Sequence, residues 1–190
     1  HLDNHWEFKS GDEIHTGMNV TKERVFTPFE IYPGVIVPPG NYDHTEMQLA
    51  LWTDKGEPVS ANLDFIKGGF FGGTRRQYGP SVNIKAGDKL TTSLALSRND
   101  IELPGGSFVT NVFRTRLSYS FTPRMFVQAL VQYNDRADLW SSNLRFGLLS
   151  QANTGLFVVF NDTQGLHDVL PRGAGRSVVV KYSRLIDVLN

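Results

Sequence analysis

The chain is 190 residues long, enough for one domain of ordinary size, and its 19 basic and 19 acidic side chains balance. That balance gives no footprint for nucleic acid or another polyanion, and the lack of cysteine excludes disulfide frameworks and Cys-ligated zinc. No apolar run approaches the roughly 18 residues of a membrane helix, whereas a barrel strand needs only about 9–11 residues that alternate apolar with polar.

Period-two alternation recurs along the chain and helical periodicity does not. It predicts about eleven strands, over residues 2–10, 13–25, 43–54, 58–67, 75–86, 89–100, 108–121, 125–134, 139–151, 155–162 and 176–187. In the third, Met47, Leu49 and Leu51 oppose Gln48; in the fourth, Leu63 and Phe65 oppose Asn62 and Asp64. Leu90, Leu94 and Leu96 then alternate with Thr91, Ser93, Ser97 and Asn99. The clearest segment sets Val109, Phe113, Leu117, Tyr119 and Phe121 against Thr110, Arg114, Arg116, Ser118 and Ser120. The next sets Met125, Val127, Ala129, Val131 and Tyr133 against Gln128, Gln132 and Asn134. Leu144, Phe146 and Leu148 follow against Asn143, Arg145 and Gly147, and Val178, Val180 and Tyr182 against Ser177, Lys181 and Ser183. Successive strand side chains point to opposite faces, so each segment has one apolar and one polar side.

Tight links fall at Ser10-Gly11-Asp12, Asp54-Lys55-Gly56-Glu57, Ala86-Gly87-Asp88, Thr122-Pro123-Arg124 and Ala152-Asn153-Thr154-Gly155, each with the residues a hairpin turn requires. Longer links run from Phe26 to Tyr42, Gly68 to Thr74, Asp100 to Ser107, Asp135 to Asp138 and Thr163 to Gly175. Their alternation predicts one tight and one looped rim, the asymmetry of outer-membrane barrels. On that scheme His1 starts at the extracellular rim and Asn190 ends on the periplasmic side. An odd strand count starting there implies a strand upstream, because single-chain bacterial barrels are even. The chain also opens without a basic or apolar leader. The expectation is an all-β, antiparallel, up-and-down transmembrane β-barrel region over 1–190, a single domain forming the C-terminal part of a larger barrel.

Several segments resemble a family known by its uncharacterised C-terminal domain, DUF5916. They are Pro28-Phe29-Glu30-Ile31, Pro33-Gly34-Val35, Pro38-Pro39-Gly40-Asn41-Tyr42 and Gly68-Gly69-Phe70-Phe71-Gly72-Gly73-Thr74-Arg75. Gly87-Asp88-Lys89-Leu90, Asn99-Asp100-Ile101-Glu102-Leu103-Pro104-Gly105-Gly106 and Tyr119-Ser120-Phe121-Thr122-Pro123-Arg124 belong with them. So do Trp140-Ser141-Ser142-Asn143-Leu144-Arg145-Phe146-Gly147 and Val180-Lys181-Tyr182-Ser183-Arg184-Leu185-Ile186. The resemblance implies a larger outer-membrane protein in which a module similar to family-9 carbohydrate-binding modules precedes the barrel. It implies no catalytic residue here. Some relatives carry the label of hydrolase.

The residues themselves point to no chemistry. His1, His5, His15, His44 and His167 lack close metal-ligand spacing; on a strand His1 and His5 share a face about 13 Å apart. They read as exposed polar positions. There is no nucleophile elbow, phosphate loop or dinucleotide fingerprint, and Gly68 to Gly73 reads as flexible or closely packed backbone at a hairpin end. Asn134 to Asp138 and Asn161-Asp162 are oxygen-rich but lack calcium-loop spacing and read as solvated loop ends. No catalytic, cofactor or metal residue is therefore expected.

Arg114, Arg116, Gln128, Gln132 and Arg145 are the candidate lumen-facing polar residues. Facing lipid, each Arg would cost about 2–4 kcal/mol near the midplane. In a lumen they would favour anionic solutes or pair with acidic residues such as Asp64. Trp52, Tyr119, Tyr133, Trp140 and Tyr182 are candidate interface aromatics, with Phe70 and Phe71 at other strand ends; a sugar-stacking platform is the alternative. The expected partners are outer-membrane lipid, glycans or other outer-membrane subunits and the upstream part of the same protein, with no nucleic acid. The leading function is an outer-membrane channel or the membrane anchor of a glycan-binding module. A soluble all-β binding domain and a glycan hydrolase are the alternatives.

Overall fold

The computed structural model describes residues 1–151, 154–165 and 175–184. The turn at Ala152-Asn153, most of the 163–175 link with His167, and Leu185 to Asn190 lie outside the described residues. The described chain is strand and turn, with no helix. Its strands are β1 (Leu2–Glu7), β2 (Glu13–Val25), β3 (Phe29–Tyr32), β4 (Val35–Val37), β5 (Gly40–Trp52), β6 (Val59–Phe70) and β7 (Gly73–Ala86). There follow β8 (Leu90–Leu103), β9 (Gly106–Thr122), β10 (Met125–Asn134), β11 (Leu139–Gln151), β12 (Thr154–Gly165) and β13 (Gly175–Ser183). Eleven of them join in the order β1-β2-β5-β6-β7-β8-β9-β10-β11-β12-β13, an up-and-down sheet, while β3 and β4 pair separately. All the described pairings are antiparallel.

Two link expectations need correction. Gly68 to Thr74 and Asp100 to Ser107 are not loops: β6 and β7 turn at Phe71-Gly72, and β8 and β9 turn at Pro104-Gly105. Phe71 (φ 43°) and Gly72 (φ 79°) both take positive φ, the requirement of a type I′ hairpin turn whose twist matches the strands. The long Phe26–Tyr42 link contains the β3–β4 hairpin. Link length therefore does not separate the two rims. The glycines mark close packing at a hairpin end, one of the two readings of Gly68 to Gly73. A Cβ on Gly68 would lie 2.3 Å from the Thr45 carbonyl oxygen, and one on Gly73 would lie 1.9 Å from that of Glu102.

The chain forms two compact units, His1–Val82 with Ala95–Asn111, and Asn83–Leu94 with Val112–Asn190. In the first, the register sets Leu2 opposite Met18, Met18 opposite Met47, and Leu49 and Leu51 opposite Phe65 and Leu63. Opposed residues share a face. Leu2, Trp6, Ile14, Met18, Val20, Met47, Leu49, Leu51, Val59, Leu63 and Phe65 thus form one apolar face. Much of it is exposed, including Leu2, Trp6, Val20, Met47 and Val59. Towards the β2–β5 link this face turns charged, with Lys22 and Asp43 paired at 3.7 Å.

The buried apolar side chains of the described residues are Val35, Val37, Phe71, Ile101 and Phe108. Val35, Ile101 and Phe108 pack with Ile31, Tyr32, Phe70 and Leu103, and the Tyr32 and Phe108 rings stack at 4.4 Å. Phe70 has the parity of Asp64 and Ile66, and Phe108 that of Thr110, which contacts Asn99. The β3–β4 hairpin is therefore docked on the polar side of the unit.

In the second unit β9 to β13 keep register away from the shifts at Met125-Phe126 and between Leu149 and Gln151. Leu117, Ala129, Leu144, Phe160 and Val178 form one continuous row, and Tyr119, Val127, Phe146, Val158 and Val180 another. Leu144, Leu148, Val178, Val180 and Tyr182 on this face are exposed. Arg176 and Asp162 interrupt it towards the 163–175 link, paired at 3.2 Å. On the other face the Phe126 ring covers Gly147, where a Cβ would meet it at 2.4 Å.

Close strand approach at Gly73 predicts that Gly73→Ala destabilises the protein by about 1–3 kcal/mol. Gly87→Asn, at φ 56° with nothing within 4 Å of its Cβ position, is expected to be tolerated. Denaturant midpoints of the two variants check the contrast.

Candidate functional site

Both units carry a polar face, and register decides what meets there. In the second unit Arg114 stands opposite Gln132, Arg116 opposite Leu130, and Gln128 opposite Arg145. The five residues chosen from sequence thus share one face. Arg116, Ser118, Gln128, Leu130, Asn143 and Arg145 are among those lining a depression of about 340 Å³. The Arg145 guanidinium lies 4.7 Å from the centre of the Phe157 ring and 5.7 Å from that of Phe126, so two aromatic faces hold the cation. Asn143 donates to Asn161, and Asn161 donates to Ser177, at 2.5 and 3.2 Å, a ladder across three strands. Arg114 and Arg116 remain exposed.

The polar face of the first unit is more densely built. Arg75 and Glu46 form an ion pair at 2.6 Å with little solvent access, and the guanidinium also covers Phe70 at 5.0 Å. Asp64, considered from sequence as a partner for arginine, accepts a hydrogen bond from Trp52 Nε1 at 3.3 Å. A depression of about 440 Å³ on this side is lined in part by His1, His15, Gln48, Asp64 and Gln77.

Near the β1–β2 turn the same face gathers residues that lie apart in the sequence. His5 and His15 are directly opposed, their rings stacked at 4.0 Å and 13°. Glu13 Oε2 lies 3.4 Å from His5 Nε2 and 3.0 Å from His15 Nε2. Lys55 Nζ holds the other carboxylate oxygen at 3.3 Å, and Trp52 packs on His15 at 4.3 Å. The sequence shows no close metal-ligand spacing among the histidines, yet pairing of β1 with β2 sets His5, His15 and Glu13 together. Spacing along one strand hid the cluster. A hairpin centred near Ser10 brings residues 5 and 15 together, and that signal was present in the turn itself.

The aromatic candidates divide. Tyr119, Tyr133, Trp140 and Tyr182 stand on the apolar face, and Tyr133 and Trp140 form a cross-strand stack at 4.9 Å. Trp52 does not. It has the parity of Ala50 and Gln48 and lies on the polar face, because its neighbours His15, Asp64 and Lys55 supply a ring contact, an acceptor and a cation. Phe70 and Phe71 belong to the packing around the hairpin, and Phe71 meets Phe29 and Tyr42 edge-on.

Neither family models, nor curated proteins, nor solved structures yielded a match to this chain.

Removing one partner of the Arg75–Glu46 pair leaves a largely buried charge unmatched. Glu46→Ala or Arg75→Ala is expected to cost about 2–4 kcal/mol. The double variant should cost clearly less than the sum, as read by a double-mutant cycle of unfolding free energies.

Proposed function

We propose that this chain forms part of the wall of a bacterial outer-membrane β-barrel, serving as a channel or as the membrane anchor of a glycan-binding module. One observation carries the reading: in each unit most of the exposed large apolar side chains of the sheet fall on one face, interrupted by the Lys22–Asp43 and Arg176–Asp162 pairs towards the links, while the Arg75–Glu46 pair and the Asn143–Asn161–Ser177 ladder fall on the other. Water disfavours such a face, and a soluble monomer rarely exposes so broad an apolar patch. Hydrocarbon suits it, because the ladder already satisfies the backbone groups.

Dimensions agree with a membrane strand. Phe113 and Phe121 are eight residues apart on β9, about 27 Å along the strand. A tilt of about 35–45° reduces this to roughly 19–22 Å of height, close to the apolar band of about 25 Å in such barrels. Tyr119 with Tyr182, and Tyr133 with Trp140, are the interface aromatics of this reading. Arg114, Arg116, Gln128, Gln132 and Arg145 face the lumen, where exposed arginines favour anionic solutes. The β3–β4 hairpin, docked on the polar side, narrows that lumen. Membership of the DUF5916 family is proposed with this reading, which stands on register and exposure without it.

Closing the wall requires that the edge strands β1 and β13 find partners, since open edges are not stable in lipid. The expected behaviour is solubility only with detergent or lipid and a gel mobility that changes on boiling. A monodisperse species in plain buffer would contradict the proposal and favour a soluble all-β binding domain.

A further inference from the structure

We infer that His5, Glu13 and His15 form a binding site for a divalent transition-metal ion of the zinc class at the β1–β2 hairpin. The three residues offer one donor atom each, and these atoms lie within 4.8 Å of one another. Zinc takes imidazole nitrogen and carboxylate oxygen at about 2.0–2.2 Å with tetrahedral geometry, which spaces the donors about 3.3–3.5 Å apart. The separations of 3.4 and 3.0 Å from Glu13 Oε2 to the two Nε2 atoms are close to that spacing.

The surroundings suit a cation. Lys55 engages Glu13 Oε1, so Oε2 is the oxygen left for the ion, an outer-shell arrangement that fixes the carboxylate. Trp52 packs on the His15 ring and limits its rotation. Both imidazoles converge on one carboxylate oxygen. Binding an ion requires the stacked rings to splay so that their lone pairs meet, and the half-exposed His5 has room to do so. Glu7 stands opposite Glu13 in the register and on the same face, and water would complete the coordination. The ligands come from both strands of the hairpin, so the ion ties edge strand β1 to β2. The three donor residues all belong to this hairpin, and the site stands whether or not the barrel reading does.

The test uses the full chain without a polyhistidine tag, in detergent, with His1→Ala throughout to remove a competing imidazole. Equilibrium dialysis against zinc chloride followed by elemental analysis should find about one ion per chain. His5→Gln, His15→Gln and Glu13→Gln should each weaken binding by at least the roughly 10–100-fold typical of an outer-shell loss, and His44→Gln should not. Equal uptake by the parent and the His5→Gln/His15→Gln chain would overturn the proposal. Proton NMR of the parent alone tests the site without relying on the folding of any variant at these positions. Zinc must shift the ring signals of His5 and His15, and shifts confined to other histidines contradict the site.

Discussion

Antiparallel pairing joins β1 to β2, β5 and β6 in one unit and β9 to β13 in the other, in constant register apart from shifts at Met125-Phe126 and between Leu149 and Gln151. Opposed residues share a face and neighbours alternate, so a register fixed at one pair fixes every side chain along the ladder. Slipping one strand by a residue would send Met47, Leu49 and Leu51 to the side of Glu46 and Gln48. The cost of that exchange holds the register. The ladder also satisfies the backbone donors and acceptors strand by strand, so the two faces are free to meet two different environments.

The difference between those faces explains why the buried core is small. Among the described residues, the buried apolar cluster is confined to the β3–β4 hairpin and its bed of Ile101, Phe108 and Phe70, and many apolar side chains of the sheet are exposed. On the polar side, cohesion comes from directed contacts: Arg75 with Glu46, Arg145 between two rings, the Asn143–Asn161–Ser177 ladder, and the cluster around Glu13. The Arg75–Glu46 pair reaches across β6 from β7 to β5, and the others join neighbouring strands or the turn beside them. Such contacts add stiffness to a surface that would otherwise be held by backbone bonds alone.

Much of the sheet was legible in the sequence because alternation is a local signal. The eleven strands of the sheet match the eleven segments, and Arg114, Gln128 and Arg145 fell on one face as their parity required. What escaped depended on pairing between segments. Gly68 to Gly73 is closely packed backbone at a hairpin end, one of its two readings from sequence, but how far β6 and β7 extend into it was not legible. The β3 and β4 strands, four and three residues long, are too short for alternation to show. Trp52 looked like an interface aromatic by type and strand-end position, but its parity with Gln48 sets it among polar neighbours. His5 and His15 are ten residues apart in sequence and become neighbours only when the hairpin closes.

The three tryptophans sample the two faces. Trp6 and Trp140 lie on the apolar faces of their units and are half or nearly half exposed, whereas Trp52 lies on the polar face. Three chains, each keeping one tryptophan and carrying Phe at the other two positions, would be reconstituted in phosphatidylcholine vesicles brominated near the head group. Fluorescence from Trp6 and Trp140 should be quenched strongly and that from Trp52 should survive. Equal quenching of all three, or quenching of Trp52 above Trp6, would contradict an apolar face in lipid and a polar face turned away from it.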